Sequence, residues 1–196
     1  TGGGQIQKQG AGKLTLTQST LSPFDVQTGS VNFTQSLGTT STAAGALLEG
    51  KGEISGNLIN SGIVSPGNSI GTIVVTGYYI QTSTGKLVME FASATSYDQL
   101  TIAGTAALAG TLQLDLLNGY IPLGQSFTFL TADGGVSGTF DTITGDAVTN
   151  HAAIAANLTY ATNSVSVAFT QRPFAGFAAT PNQGAIANAA QANPEL

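Results

Sequence analysis

Few side chains in this sequence could carry out chemistry. His151 is the single histidine, and the chain has no cysteine. A metal centre of several histidines or thiolates is therefore excluded, and a Ser-His-Asp arrangement would have to use His151 as its base. We interpret His151 as a loop residue, and the sequence predicts no catalytic, cofactor-binding or metal-binding residue.

One short stretch matches a nucleophile pattern. Residues 67 to 71 read Gly-Asn-Ser-Ile-Gly, which satisfies the Gly-x-Ser-x-Gly of the hydrolase nucleophile elbow around Asn68 and Ser69. That elbow needs a helix after the serine, whereas Thr72 to Val75 has the composition of another strand. We interpret the stretch as a tight turn whose backbone is set by Pro66 and Gly67.

Three aspartates suggest calcium at first sight: Asp133, Asp141 and Asp146. The glycine-rich nonapeptide of calcium-binding β-rolls is not repeated here, and the acids lack ligand spacing. We expect turns at these positions, because aspartate tolerates unusual backbone dihedrals.

Cleavage of a glycoside requires two carboxyl groups that converge in a cleft. Glu49 and Glu53 are close in sequence, and Glu90 alternates with Met89 and Phe91, which places Glu90 on an outer face. We predict that the chain is not an enzyme and has no cofactor.

Aromatic and amide side chains suggest two further hypotheses, a sugar-binding surface and glycosylation. Four tyrosines could line a sugar-binding surface, but we expect them to pack at core ends or strand edges: Tyr78, Tyr79, Tyr97 and Tyr120. Asn32 and Asn157 begin Asn-x-Thr glycosylation patterns, which arise readily by chance in a Thr-rich chain.

The composition narrows the class of partner. Only 8% of residues are charged, with five Lys and Arg against ten Asp and Glu. Without a basic stripe, nucleic acid and anionic membranes are poor candidates. No apolar run reaches the length needed to cross a bilayer, and the start Thr-Gly-Gly-Gly has no signal-peptide shape. We expect both ends to be cuts in a longer polypeptide.

The elements that would position these residues are short strands. Alternation of apolar and polar residues continues to about residue 170: Leu14/Leu16, Val31/Phe33, Ile73/Val75, Leu87/Met89/Phe91, Leu100/Ile102, Leu112/Leu114/Leu116, Phe127/Phe129 and Val165/Val167/Phe169. Each burst predicts a strand with one buried face. Helical signals between strands are missing, so parallel strands would have to be linked by coiling; an antiparallel sandwich is the rival fold. Residues 10 to 15 and 50 to 55 resemble each other, which would fit two coils of about 20 residues each.

The alternating strand pattern ends after Phe169. Thr180, Pro181 and Gln183 supply a hydroxyl N-cap, a proline at the first helical position and the glutamine of a capping box. A helix should start there, with its body over Ala185 to Ala192. It is short enough to be marginal, so we expect a helical or disordered linker.

Several blocks in order resemble a known family. Residues 62 to 77 contain Ser-Pro-Gly-Asn-Ser-Ile-Gly-Thr, and Tyr97 to Gly104, Ala109 to Leu112, Phe127 to Ala132 and Val136 to Phe140 follow. Together they resemble the late passenger region of bacterial autotransporters (type V secretion). Residues 3 to 17 look like the passenger-associated strand repeat, and residues 178 to 191 are similar to the linker before the family's membrane barrel.

The resemblance implies a single-stranded right-handed parallel β-helix over residues 1–170, in about eight coils, and a linker over 171–196. It implies export through the outer membrane to the cell surface, where the last coils fold early. The expected partners are upstream passenger coils and the downstream barrel, which this chain lacks. We expect a non-catalytic stem that promotes passenger folding and projects upstream regions from the cell surface. The alternative is an adhesive or self-associating module whose flat solenoid faces make cell-cell or carbohydrate contacts, with a second copy or a host or cell-surface ligand as partner.

Overall fold

The computed structural model describes residues 4–151, 154–173, 180–183 and 185, and it is mostly β. The strands form three sheets of seven strands each. In the described residues no helix has the length and apolar character required to span a membrane.

Each sheet collects strands from along the whole chain. The first contains β1 (Ile6–Lys8), β3 (Phe24–Val26), β6 (Thr40–Thr42), β9 (Leu58–Asn60), β12 (Tyr79–Gln81), β15 (Ala106–Leu108) and β18 (Val136–Gly138). The second contains β2 (Lys13–Leu16), β4 (Ser30–Phe33), β7 (Leu47–Gly50), β10 (Ile63–Pro66), β13 (Lys86–Phe91), β16 (Thr111–Leu116) and β19 (Thr142–Thr144). The third contains β5 (Ser36–Leu37), β8 (Gly52–Ile54), β11 (Thr72–Val75), β14 (Gln99–Ile102), β17 (Ser126–Ala132), β21 (Ser164–Gln171) and β20 (Ile154–Ala161).

The strand order shows how the chain runs. From β3 to β19 it visits the first, second and third sheets in turn, and each strand pairs in parallel with the next strand of its own sheet. We call one such passage a level. Levels lengthen from the second one onward: Phe24 pairs with Thr40, sixteen residues later, whereas Ala106 pairs with Val136, thirty residues later. The added residues lie in the turns, because the strands stay in register.

Alternate side chains of the strands form the core. In β13 and β16 the pattern is strict, with Leu87, Met89 and Phe91 buried and the residues between them half-buried. One column of the second sheet stacks seven apolar residues in register: Leu14, Val31, Leu48, Val64, Leu87, Leu112 and Ile143. The predicted alternation is confirmed; only Leu14 and Leu16, in the first level, are incompletely buried.

A buried polar network interrupts this core, and the sequence pattern missed it. Asn60 accepts from the Thr42 hydroxyl at 2.8 Å and donates to Gln81 Oε1 at 3.2 Å. The Tyr79 hydroxyl also donates to Gln81, at 2.6 Å, and Gln81 donates to the Ala109 carbonyl at 2.7 Å. Because these polar groups satisfy one another across four levels, their burial is tolerated and their partners fix the stacking register.

The C-terminal end differs from the uniform parallel winding expected to residue 170. Strands β20 and β21 pair antiparallel with each other, and β21 pairs antiparallel with β17. A two-residue turn at Thr162 and Asn163 connects them. Such a short connection joins antiparallel strands only, because parallel strands require a crossover. Helix α1 (Asp146–Thr149) precedes the hairpin.

Two smaller expectations have clear outcomes. Leu14 stacks through Val31 on Leu48, while Gly52 to Ile54 belong to the third sheet, so the resemblance between residues 10–15 and 50–55 does not mark equivalent positions. The capping box is confirmed: Gln183 N donates to Thr180 Oγ1 at 3.3 Å and Thr180 N to Gln183 Oε1 at 3.1 Å. Except for Ala185, which is helical, the predicted helix body lies outside the described residues, as does most of the linker.

Candidate functional site

The turn over residues 67–71 lies between β10 and β11, so the expected strand after Ser69 is confirmed. Gly67 has a φ of 90°, and a Cβ on Gly71 would come within 2.5 Å of Gly67 Cα. Ser69 has a φ of 140°, which is unusual for a residue other than glycine. The Gly-x-Ser-x-Gly match thus reflects close backbone packing in a turn, without the helix that a nucleophile elbow needs.

This turn is fastened to the next level by Asp98. The Asp98 side chain is fully buried, and its Oδ1 accepts from Gly71 N at 2.8 Å. Its Oδ2 accepts from Glu90 N at 2.9 Å, and Gln99 N donates back to the Gly71 carbonyl at 3.0 Å. Residues 62–77 and 97–104 belong to two separate blocks of the family resemblance, and the fold brings them into direct contact here.

Burial dominates the electrostatics of Asp98. It raises the pKa of this carboxyl to about 8, and the nearby Glu90 carboxylate acts in the same direction. The two backbone N–H donors favour the ionised form and offset only part of the cost of burying a charge.

Aromatic side chains pack beside Asp98 at the C-terminal end of the core. The Phe91 ring lies 5.0 Å from that of Phe127 and 5.5 Å from that of Phe169, both in edge-to-face geometry. Tyr97 packs edge-to-face on Phe127 at 5.0 Å. We call Phe91, Tyr97, Phe127 and Phe169 the aromatic cluster. It joins β13, the loop before β14, β17 and the antiparallel strand β21. The hairpin therefore packs against the parallel strands through Phe169.

The three aspartates considered for calcium do not converge. Asp141 accepts from Gly110 N at 2.6 Å, and Asp146 accepts from Leu116 N at 2.7 Å. Asp133 is exposed in a turn. Throughout the described ranges, no three His, Cys, Asp or Glu side chains group in a way that could hold a metal ion.

The glutamates are also spread over the surface. Glu49 pairs with Lys13 at 2.6 Å on the second sheet, whereas Glu53 is on the third sheet and accepts from Ser55. Glu90 is half-buried on the outer face of β13, as expected. Burial raises its pKa, and the charges of Asp115 and Glu49 add to the effect. Glu49 and Glu53, close in sequence, therefore lie on different sheets.

His151 lies just after α1 and is half-buried. Its Nδ1 is 3.1 Å from the Asp146 carbonyl oxygen, and Ile154 N donates to the His151 carbonyl. Among the residues that the structure describes, no hydroxyl or carboxylate hydrogen-bonds this ring. His151 therefore lies in the connection between α1 and β20, as the loop interpretation expects.

The tyrosines mostly pack, as expected. Tyr79 is fully buried, and burial raises the pKa of its hydroxyl. Tyr97 belongs to the aromatic cluster, Tyr120 is half-buried and bonds Gln125, and Tyr78 is 38% exposed. Two asparagines begin glycosylation patterns. Asn32 is buried, while Asn157 is exposed and donates to Thr170 Oγ1.

A shallow depression of about 220 Å³ lies beside the 67–71 turn, lined by Thr34, Gly50, Lys51, Asn68, Ser69 and Ile70. It is smaller than most ligand pockets, which occupy roughly 300–1,000 Å³. It brings together none of the histidine, aspartate or glutamate side chains considered above.

No protein-family model matches this sequence, and no curated protein matches it either. Two regions of the structure are therefore the candidates for a functional role: the junction between the 67–71 turn and Asp98, and the C-terminal end with the aromatic cluster. The alternating pattern could not have identified Asp98, since a buried aspartate has no apolar signature.

Proposed function

We propose that this chain is the non-catalytic stem of an autotransporter passenger, folded as a single-stranded right-handed parallel β-helix and exposed at the bacterial cell surface. In this role it promotes folding of the passenger and holds upstream regions away from the membrane. Self-association through the outer faces stays a prediction.

The strand order supports this architecture. The chain visits three sheets in turn, and each strand pairs with the strands one level before and one level after it. In such a stack each level buries its inward residues mainly against its neighbours, so stability is built up level by level. Seven strands at a spacing of about 4.8 Å give a stack of roughly 29 Å, which suits a spacer.

The observation that carries the folding role is the closed C-terminal end. Phe169 in β21 is fully buried against Phe91 and Phe127, so the antiparallel hairpin covers the core there. At the other described end, Leu14 and Leu16 remain only partly buried. A closed end can form a stable first unit onto which further levels add, because nucleation is the costly step of such folding.

Refolding kinetics of two matched variants test this order. Phe169→Leu and Phe33→Leu each shorten a fully buried phenylalanine, at the C-terminal end and in the second level respectively. Each should cost about 1–3 kcal/mol of stability. We expect Phe169→Leu to slow refolding and Phe33→Leu mainly to accelerate unfolding in stopped-flow denaturant jumps. The reverse partition would refute early folding of the C-terminal end.

A further inference from the structure

We propose that the carboxyl groups of Asp98, Asp141 and Asp146 are docking points that capture the preceding level of the chain as it winds onto the C-terminal end. The partner of each is a backbone N–H one level upstream. This inference rests on the proposed order of folding.

The three contacts share one direction. Gly71 N donates to Asp98, Gly110 N to Asp141 and Leu116 N to Asp146, at 2.8, 2.6 and 2.7 Å. In every case the acceptor follows its donor by 27 to 31 residues, which is one level. Once the downstream level has formed, its carboxyl therefore projects toward the place that the upstream turn will occupy.

Asp98 shows why the upstream half of the contact forms last. Its Oδ2 accepts from Glu90 N, and its own N–H donates to the Glu90 carbonyl at 2.9 Å, both within the same level. These local bonds orient the side chain before the upstream turn arrives. The hydrogen bond that remains to be formed is the one from Gly71 N to Asp98 Oδ1. The Gly71 carbonyl in turn accepts from Gln99 N.

In the described residues the remaining acceptor side chains share no single direction. Asp115 accepts from Asp146 N, a downstream donor, at 3.2 Å, and Asp25 accepts from the downstream Ser41 hydroxyl at 2.8 Å. Neutral acceptors serve both directions, since Thr76 accepts from the upstream Gly56 N whereas Thr39 accepts from the downstream Asn57 N. The short contacts to upstream N–H groups thus combine charge and direction, and their three carboxyl groups lie in the last three levels.

Charge makes these groups suitable for capture. At an uncovered edge the carboxylate is hydrated and ionised, and hydrogen bonds to an ionised acceptor are about twice as strong as neutral ones. Arrival of the upstream turn exchanges water for a backbone N–H, and at Asp98 it also covers the side chain, where burial then favours the protonated form. At Asp98, a turn that failed to supply its N–H would leave a buried acceptor unsatisfied, which disfavours a misregistered level.

Stopped-flow refolding of the full chain tests the inference. Asp98→Asn keeps the shape but places an amide NH₂ against a backbone N–H. We expect refolding to slow at least threefold with little change in the unfolding rate. The control is Thr39→Val, which removes an acceptor for a downstream donor and should leave the refolding rate unchanged. Asp141→Asn, at an exposed carboxyl, repeats the test if Asp98→Asn fails to refold.

The outcomes separate this inference from the proposed function. If Phe169→Leu slows refolding while Asp98→Asn and Asp141→Asn act only on unfolding, the carboxyl contacts form after the rate-limiting step of folding and the docking inference is wrong. If Phe169→Leu acts only on unfolding, the proposed order itself fails. Slow refolding of Phe169→Leu and both aspartate variants, with Thr39→Val unaffected, supports both.

Discussion

At the scale of single residues, Asp98 joins two turns that are 27 residues apart in the sequence. Its carboxyl is fully buried yet accepts two backbone N–H bonds, at 2.8 and 2.9 Å. Satisfied hydrogen bonds explain why such a group is tolerated, while burial explains why its charge is costly. These two effects together make the junction sensitive to pH.

The pH dependence follows from the raised pKa of Asp98, about 8 in the folded chain against about 4 when unfolded. Between these values the folded state holds a proton that the unfolded chain releases. The stabilisation is therefore fully present below about pH 4 and is lost as pH rises through 8. We expect the urea midpoint to fall from pH 5 to pH 9.

The matching measurement is the same titration on Asp98→Asn. This variant carries no titratable group at position 98, so its midpoint should vary less between pH 5 and pH 9, although it is less stable overall. Identical slopes for the two proteins would show that Asp98 does not control the pH dependence.

At the scale of elements, turns set how closely successive levels approach. The 67–71 turn folds on itself so tightly that Gly71 has Gly67 Cα and N in the space a side chain would need. Gly50 and Gly67 also exchange backbone hydrogen bonds, with donor to acceptor distances of 2.7 and 2.5 Å. These backbone contacts leave no room for a Cβ at Gly50, Gly67 or Gly71.

Gly71→Ala should therefore destabilise the fold by about 1–3 kcal/mol through steric overlap. Gly12→Ala is the control, because its added Cβ would meet no atom within 4 Å and its φ is not in the left-handed region. Urea unfolding monitored by circular dichroism gives both values. Equal midpoints for the two variants would mean that the 67–71 turn relaxes without cost.

At the scale of the whole molecule, the two ends of the stack are unequal. The hairpin and aromatic cluster cover one end, whereas in the first level Leu14 and Leu16 are partly exposed and Ile6 is 37% exposed. In a stack of levels each supported by its neighbours, local opening starts at the less covered end.

Native-state hydrogen exchange should show this asymmetry. We expect the amide protons of β2 to exchange fastest among the strands, and those of β16 and β17 slowest. Protection should rise along the second sheet from β2 to β16 as levels become more deeply supported. Faster exchange in β21 than in β2 would contradict the assignment of the closed end.

The sequence determined which side chains of each strand are buried, because alternation with a period of two places every second residue on the same side of a strand. It also located the 67–71 turn and the capping box at Thr180, since both depend on residues adjacent in the chain. It could not determine that Leu14 stacks on Val31 rather than on a residue 40 positions away, nor that β20 and β21 run antiparallel.

Only the tertiary structure decided those pairings and the junction at Asp98. Alternation specifies the face of a strand but not its neighbour, and levels of 16 to 31 residues obscure any fixed repeat. A buried aspartate or asparagine resembles an exposed one in the sequence. What distinguishes Asp98 and Asn60 is the set of donors that the fold brings to them from other levels, and that set exists only once the levels are stacked.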